Sequence, residues 1–120
     1  MEVEIVQNDW LALASALPAA VNRGIRKQIF VTEGDVKVNV QTYDVIDTGN
    51  LLGSVRAEML DRTTGMVSVS AESEQGFPYP WIQNYGGRYI APRPFFSDAE
   101  AKARDEFPGR MKREIDAALR

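Results

Sequence analysis

Val21, Ile25, Ile29, Thr32, Val36, Val40 and Tyr43 follow one another by four, four, three, four, four and three residues. That spacing stacks them as one stripe along a helix. A shorter-range signal competes with it, because Val36-Lys37-Val38-Asn39-Val40 alternates like a strand, β-branched residues are frequent, and Gly34 interrupts the run. The longer period carries more information and predicts a long helix. Pro18, placed as a first-turn residue, opens it.

The other patterns are shorter. Met1 to Gln7 alternates Glu2 and Glu4 with Val3 and Ile5, as a half-buried strand does. Asn8 or Asp9 is placed to cap a helix carrying Trp10, Leu11, Leu13, Ala14 and Leu17, with a bend at Leu17-Pro18. Ser54 to Leu60 alternates around Val55, Ala57 and Met59, and Met66 to Ala71 around Val67 and Val69. Asp61-Arg62-Thr63-Thr64-Gly65 between them supplies the turn of an antiparallel hairpin. From Ser97 onward Ala99, Ala103, Phe107, Met111, Ile115 and Leu119 recur at helical spacing, and Pro108-Gly109 is expected to kink or split that helix. The sum is an α+β fold: a small antiparallel sheet with a long N-terminal helical region and a C-terminal helix packed on it.

Composition removes chemistry more than it adds it. The chain has 120 residues, 44% of them hydrophobic, and reads as one domain over residues 1–120. It contains no cysteine and no histidine. Disulfides, thiolate chemistry, the usual near-neutral general base and the commonest transition-metal ligand are therefore excluded, and no cofactor or metal is expected. A net charge of -3 with mixed signs argues against a broad basic nucleic-acid face. No apolar run is long enough to span a membrane and the start is unlike a signal peptide, so the expectation is a soluble, non-secreted protein.

Asp47-Thr48-Gly49 after Val45-Ile46 resembles the active-site turn of retroviral-type aspartic proteases, in which two short chains each contribute one Asp. That fold is nearly all strand, and here Asn50 follows the Gly among long helical patterns. The same residues make structural sense as a corner: Asp47 or Thr48 accepts backbone N-H groups at the start of a turn through Asn50, Leu51 and Leu52, and Gly49 permits close approach. Glu72 and Glu74, or Asp98 and Glu100, read as solvated carboxylates. Arg23, Arg26 and Lys27, and Arg110, Lys112 and Arg113, are diluted by Glu33, Asp35, Glu106, Glu114 and Asp116 and read as solvated helix faces. Neither nucleotide-binding glycine motif occurs.

Residues 77–96, FPYPWIQNYGGRYIAPRPFF, hold seven of eleven aromatics and four of six prolines. Such a segment carries enough apolar surface to need a partner, either its own domain or another chain. Tyr79, Trp81, Ile82 and Tyr85 fit a short helical turn ended by Gly86-Gly87, with the rings capping the sheet. Tyr79, Trp81, Ile82, Tyr85, Arg88, Tyr89, Arg93, Phe95 and Phe96 also have the aromatic and Arg content of interface centres, with Ile90 among them and Pro92 and Pro94 stiffening the backbone. A generic module binding an extended or aromatic ligand through residues 77–96 is the looser alternative.

Taken in order, Ile46-Asp47-Thr48-Gly49-Asn50-Leu51, Ser54, a hairpin, Tyr79-x-Trp81-Ile82-x-x-Tyr85-Gly86, then Ala91-Pro92-Arg93-Pro94-Phe95-Phe96 opening a last helix resembles the tailed-bacteriophage neck and tail-completion proteins. The resemblance runs from about residue 18 to the end. Gly86-Gly87 is similar to a related branch, the phage virion-morphogenesis proteins, and Asn84 stands where the family often has an acidic residue. The resemblance implies a non-enzymatic virion subunit, made in the host cytoplasm, that assembles as a sixfold ring at the head-tail junction. Its partners there would be the head-tail connector and tail tube proteins, and DNA would pass through without sequence-specific binding. A net acidic subunit is compatible with DNA sliding, since phosphate affinity rises with basic contacts.

Overall fold

The computed structural model describes residues 2–6, 17–43, 48–71, 79–88 and 91–118. The expected helix around Trp10, the Asp47 cap, Glu72, Glu74, Phe77, Tyr89, Ile90 and Leu119 lie outside the described residues. Seven elements follow in order: β1 (Glu2–Val6), α1 (Pro18–Thr42), α2 (Thr48–Ser54), β2 (Arg56–Asp61), β3 (Thr64–Ser68), α3 (Tyr79–Tyr85) and α4 (Phe95–Ala118). The fold is α+β, with a small antiparallel sheet in the order β1-β3-β2.

The helical period wins over the local alternation because it matches what is buried. Val21, Ile25, Ile29, Thr32, Val36 and Val40 are all buried, and Tyr43 packs against the same core. Pro18 sits in the first turn of α1, where its missing N-H costs nothing, and Leu17 O accepts the Ala20 and Val21 N-H groups at 3.1 and 3.2 Å. The Val-Lys-Val-Asn-Val segment continues the helix, with Val36 and Val40 inward and Val38 exposed.

This stripe faces the sheet. A Cβ on Gly65 of β3 would lie 2.7 Å from Ile29 Cγ2 and 3.0 Å from Ile25 Cγ2, so glycine lets the helix approach the central strand. Gly65→Ala is expected to lower stability by about 1–3 kcal/mol, read by urea unfolding, as overpacked sites do. Val67, paired with both Val3 and Ala57, continues the buried face. The hairpin turn is tighter than the sequence predicts, only Arg62 and Thr63. Asp61 Oδ1 accepts the Thr63 N-H at 2.8 Å, which holds the Asp61 carboxyl below its usual range. Asn22 Nδ2 donates to Arg62 O at 3.0 Å and ties the turn to α1.

A second face of α1 packs on α4, and this one is largely polar. Gly24 admits Met111, whose Cε would be 3.0 Å from an added Cβ. Gln28, fully buried, donates to Thr32 Oγ1 at 3.1 Å and accepts from Arg110 Nε at 3.0 Å. Lys102 pairs with Asp35 at 3.1 Å, Asn39 Nδ2 donates to Phe95 O at 3.0 Å, and the Tyr43 hydroxyl donates to Asp98. The rising numbers on α1 meet falling numbers on α4, so the helices run antiparallel. α4 reaches the sheet through α1, completing one core with Phe95, Phe96, Phe107, Met111 and Ile115.

Two sequence expectations are corrected here. The basic groups are not simply solvated: Arg110 is bonded to buried Gln28, and Arg23 and Lys27 both pair with Glu114 across the helices. Pro108 does not split the last helix, which runs unbroken from Phe95 to Ala118. Pro108 and Gly109 lie on its exposed side. There the Arg104 carbonyl that loses its intrahelical donor can take water instead.

The Lys27 hydrogen bond holds the Glu114 carboxyl below its usual range; burial opposes it as the second-largest effect, and the Lys27 charge and Arg23 add to the lowering. A lowered folded-state pKa stabilises above the unfolded-state value, and that stability is lost as pH falls through the folded-state value. Urea midpoints should therefore separate wild type from Glu114→Gln at neutral pH and converge as pH falls through the lowered Glu114 value.

Candidate subunit interface

The aromatic segment divides into a half that belongs to the core and a half that faces solvent. Phe95 is 0% and Phe96 2% exposed, with ring centroids 6.4 Å apart in an edge-to-face arrangement. This corrects their placement as exposed interface candidates. They open α4, and the burial requirement of a two-helix core takes both rings. Tyr79 also packs against the core, and its hydroxyl accepts from Asn50 Nδ2 at 3.1 Å.

Trp81 and Tyr85 point the other way. One turn apart on α3, they are 52% and 53% exposed and stack with centroids 5.0 Å apart. Ile82 is half-buried, Arg88 is exposed and Arg93 is half-buried. α3 ends on Gly86 in the left-handed conformation, φ 78°, whose N-H bonds Ile82 O at 2.8 Å. Pro80, Gln83 and Asn84 form its buried side.

Asn84 explains why this short helix stands firm. α4 follows Pro94, which offers no capping side chain. The Asn84 Oδ1 takes that role from outside, accepting the Phe96 and Ser97 N-H groups at 3.0 and 2.9 Å while Nδ2 donates to Ser97 Oγ at 2.7 Å. Phe95 N-H bonds Arg93 O at 2.7 Å and Asp98 N-H bonds Pro94 O at 3.0 Å, so each N-H of the first turn has an acceptor. Arg93 returns to α3, its N-H bonding Gln83 O at 2.7 Å and its guanidinium Gln83 Oε1 at 3.5 Å. Asn84→Ala is expected to cost about 1–3 kcal/mol by denaturant titration, because it leaves two donors at a buried helix start without an acceptor. Asn84→Asp keeps the acceptor and places charge favourably at a helix N-terminus, so it should retain stability near wild type.

Thr48, Gly49, Asn50 and Leu51 open α2. α2 carries Leu51 fully buried and delivers the chain into β2, with Ser54 Oγ donating to Leu51 O at 2.8 Å. Gly49 and Asn50 are exposed beside an open cleft of about 430 Å³ that Ser54, Arg56 and Ser70 also line. Its described lining includes no carboxylate and so no acid-base pair. Among the described residues no group of three carboxylates converges to hold a metal ion, and no helix is long and apolar enough to cross a membrane.

The aromatic pair on a braced helix is thus the feature that calls for a partner. No protein family, curated protein or solved structure matches the chain. Function rests on the site itself. Sequence reasoning missed Asn84 and Gln83, whose polar side chains gave no apolar signal; the Pro at the start of α4, lacking a cap of its own, was the available clue.

Proposed function

We propose that this chain is a structural subunit of the tailed-phage neck or tail-completion type. It assembles as a sixfold ring at the head-tail junction, joins the tail to the head and lets DNA pass. The observation that carries the reading is that its three separated motifs form one unit. Asn50 of the first motif bonds Tyr79 of the second, and Asn84 of the second caps the helix opened by the third. Motifs that meet in space while leaving Trp81 and Tyr85 outward describe a built presentation surface.

The dimeric protease reading, which requires a chain made almost wholly of strands, gains no support from helices of 25 and 24 residues. A generic ligand-binding module shares the exposed pair but requires no self-assembly. Negative-stain imaging of the purified chain, fixed at high concentration with glutaraldehyde, tests the proposal. Annular particles with a hole wide enough for duplex DNA support it. Fields of single small particles or compact dimers overturn it.

A further inference from the structure

The cleft beside α2 belongs neither to the core nor to the aromatic face of α3. Two of its lining residues, Gly49 and Gly53, lie one turn apart on α2, and a Cβ added at either would meet nothing within 4 Å. At those two positions no side chain fills the space, and about 430 Å³ stays open. The rest of the chemistry comes from Ser54 at the end of α2, Arg56 at the start of β2 and Ser70 just past β3.

Charge singles out Arg56. Lys27, Lys37, Lys102, Arg104 and Lys112 each pair with a carboxylate. The Arg56 side chain forms no hydrogen bond or ion pair among the described residues, although the chain is acidic and Glu58 follows it on the same exposed face of β2. The cleft thus holds an unpaired cation and, in its described lining, no carboxylate to neutralise it.

Donors and acceptors narrow what fits. A guanidinium presents a planar fork of N-H groups that matches the two oxygens of a carboxylate. The Ser70 hydroxyl, also without a partner among the described residues, adds a donor. Ser54 already gives its hydrogen to Leu51 O at 2.8 Å, so its oxygen is left to accept. A fork, one further donor and one acceptor suit an anion that carries an N-H or O-H close by. A single cation balances a single negative charge, whereas a phosphate monoester brings about 1.5–2 at neutral pH and leaves the surplus on an acidic chain.

We propose that this cleft binds a carboxylate with a hydrogen-bond donor beside it, of the N-acylated amino acid class. Arg56 holds the two oxygens, Ser70 donates to one of them, and Ser54 accepts from the ligand N-H. Binding there requires no second copy of the chain.

N-acetylglycine, titrated into the isotope-labelled chain at fixed ionic strength and followed by amide NMR, tests the site. The expected result is saturable shifts at Gly53, Ser54, Arg56 and Ser70 with a dissociation constant on the order of 1–10 mM, as for a fragment of about eight heavy atoms at an open site. Arg56→Gln should abolish saturation, and Arg56→Lys, which keeps the charge without the fork, should weaken binding about threefold or more. Gly53→Leu fills the cleft from an open position and leaves Arg56 in place, so it should weaken binding about tenfold. Circular dichroism verifies the fold of each variant. Shifts that rise without saturating, or a Gly53→Leu chain that binds as wild type does, would overturn the site. Inorganic phosphate bound as tightly as N-acetylglycine would overturn the carboxylate assignment.

Discussion

Phe95→Ala is expected to destabilise the protein by about 3–5 kcal/mol, the range for truncating a buried aromatic. Phe95 is fully buried and meets Phe96 edge to face. Its own carbonyl accepts from Asn39, so the void would open where α4 starts and α1 holds it. Since domains of this kind are stable by only about 5–15 kcal/mol, the variant should unfold at a much lower denaturant concentration. Phe95→Leu, which restores most of the volume, should recover much of the loss. An unchanged unfolding midpoint for Phe95→Ala would return the residue to the interface surface that its place in the aromatic segment implied.

The opposite pattern is expected for Trp81→Ser combined with Tyr85→Ser. Both side chains are about half exposed and make their ring contact with each other, so removing them together leaves no orphaned partner in the core. Thermal stability should stay near that of wild type, within roughly 0.5 kcal/mol as for other surface changes. Assembly should nevertheless be lost, because aromatic anchors at the centre of an interface carry most of its energy. Loss of assembly with intact unfolding separates a docking surface from a structural one. A double variant that assembles like wild type would remove α3 from the interface.

The parts of this fold that sequence made readable are those where apolar spacing and burial coincide. The Val21-to-Tyr43 stripe, the alternation around Val55 and Val67, and the Ala99-to-Ile115 stripe each found the core because a single apolar face was enough to define orientation. The second face of α1 was invisible for the same reason. Gly24, Gln28, Asp35 and Asn39 also recur at helical spacing, yet polar residues on a helix ordinarily face water, and only the approach of α4 buries them. Pro108 leaves the helix unsplit because its cost depends on which side of the helix it occupies, and an exposed carbonyl finds water. Phe95 and Phe96 were grouped with Trp81 by composition. What separates them is the start of α4, which turns the first two rings inward while the second pair sits on the far side of α3. Nothing in residue type alone distinguishes them.

Sedimentation mass across a concentration series, from micromolar to about a millimolar, tests most directly whether this chain builds a ring. A weak repeated contact predicts a steep passage from single chains of 13.4 kDa to one closed species of about six times that mass, with few intermediates. A mass that stays at one chain throughout, or settles at two, would contradict a ring built from this aromatic face.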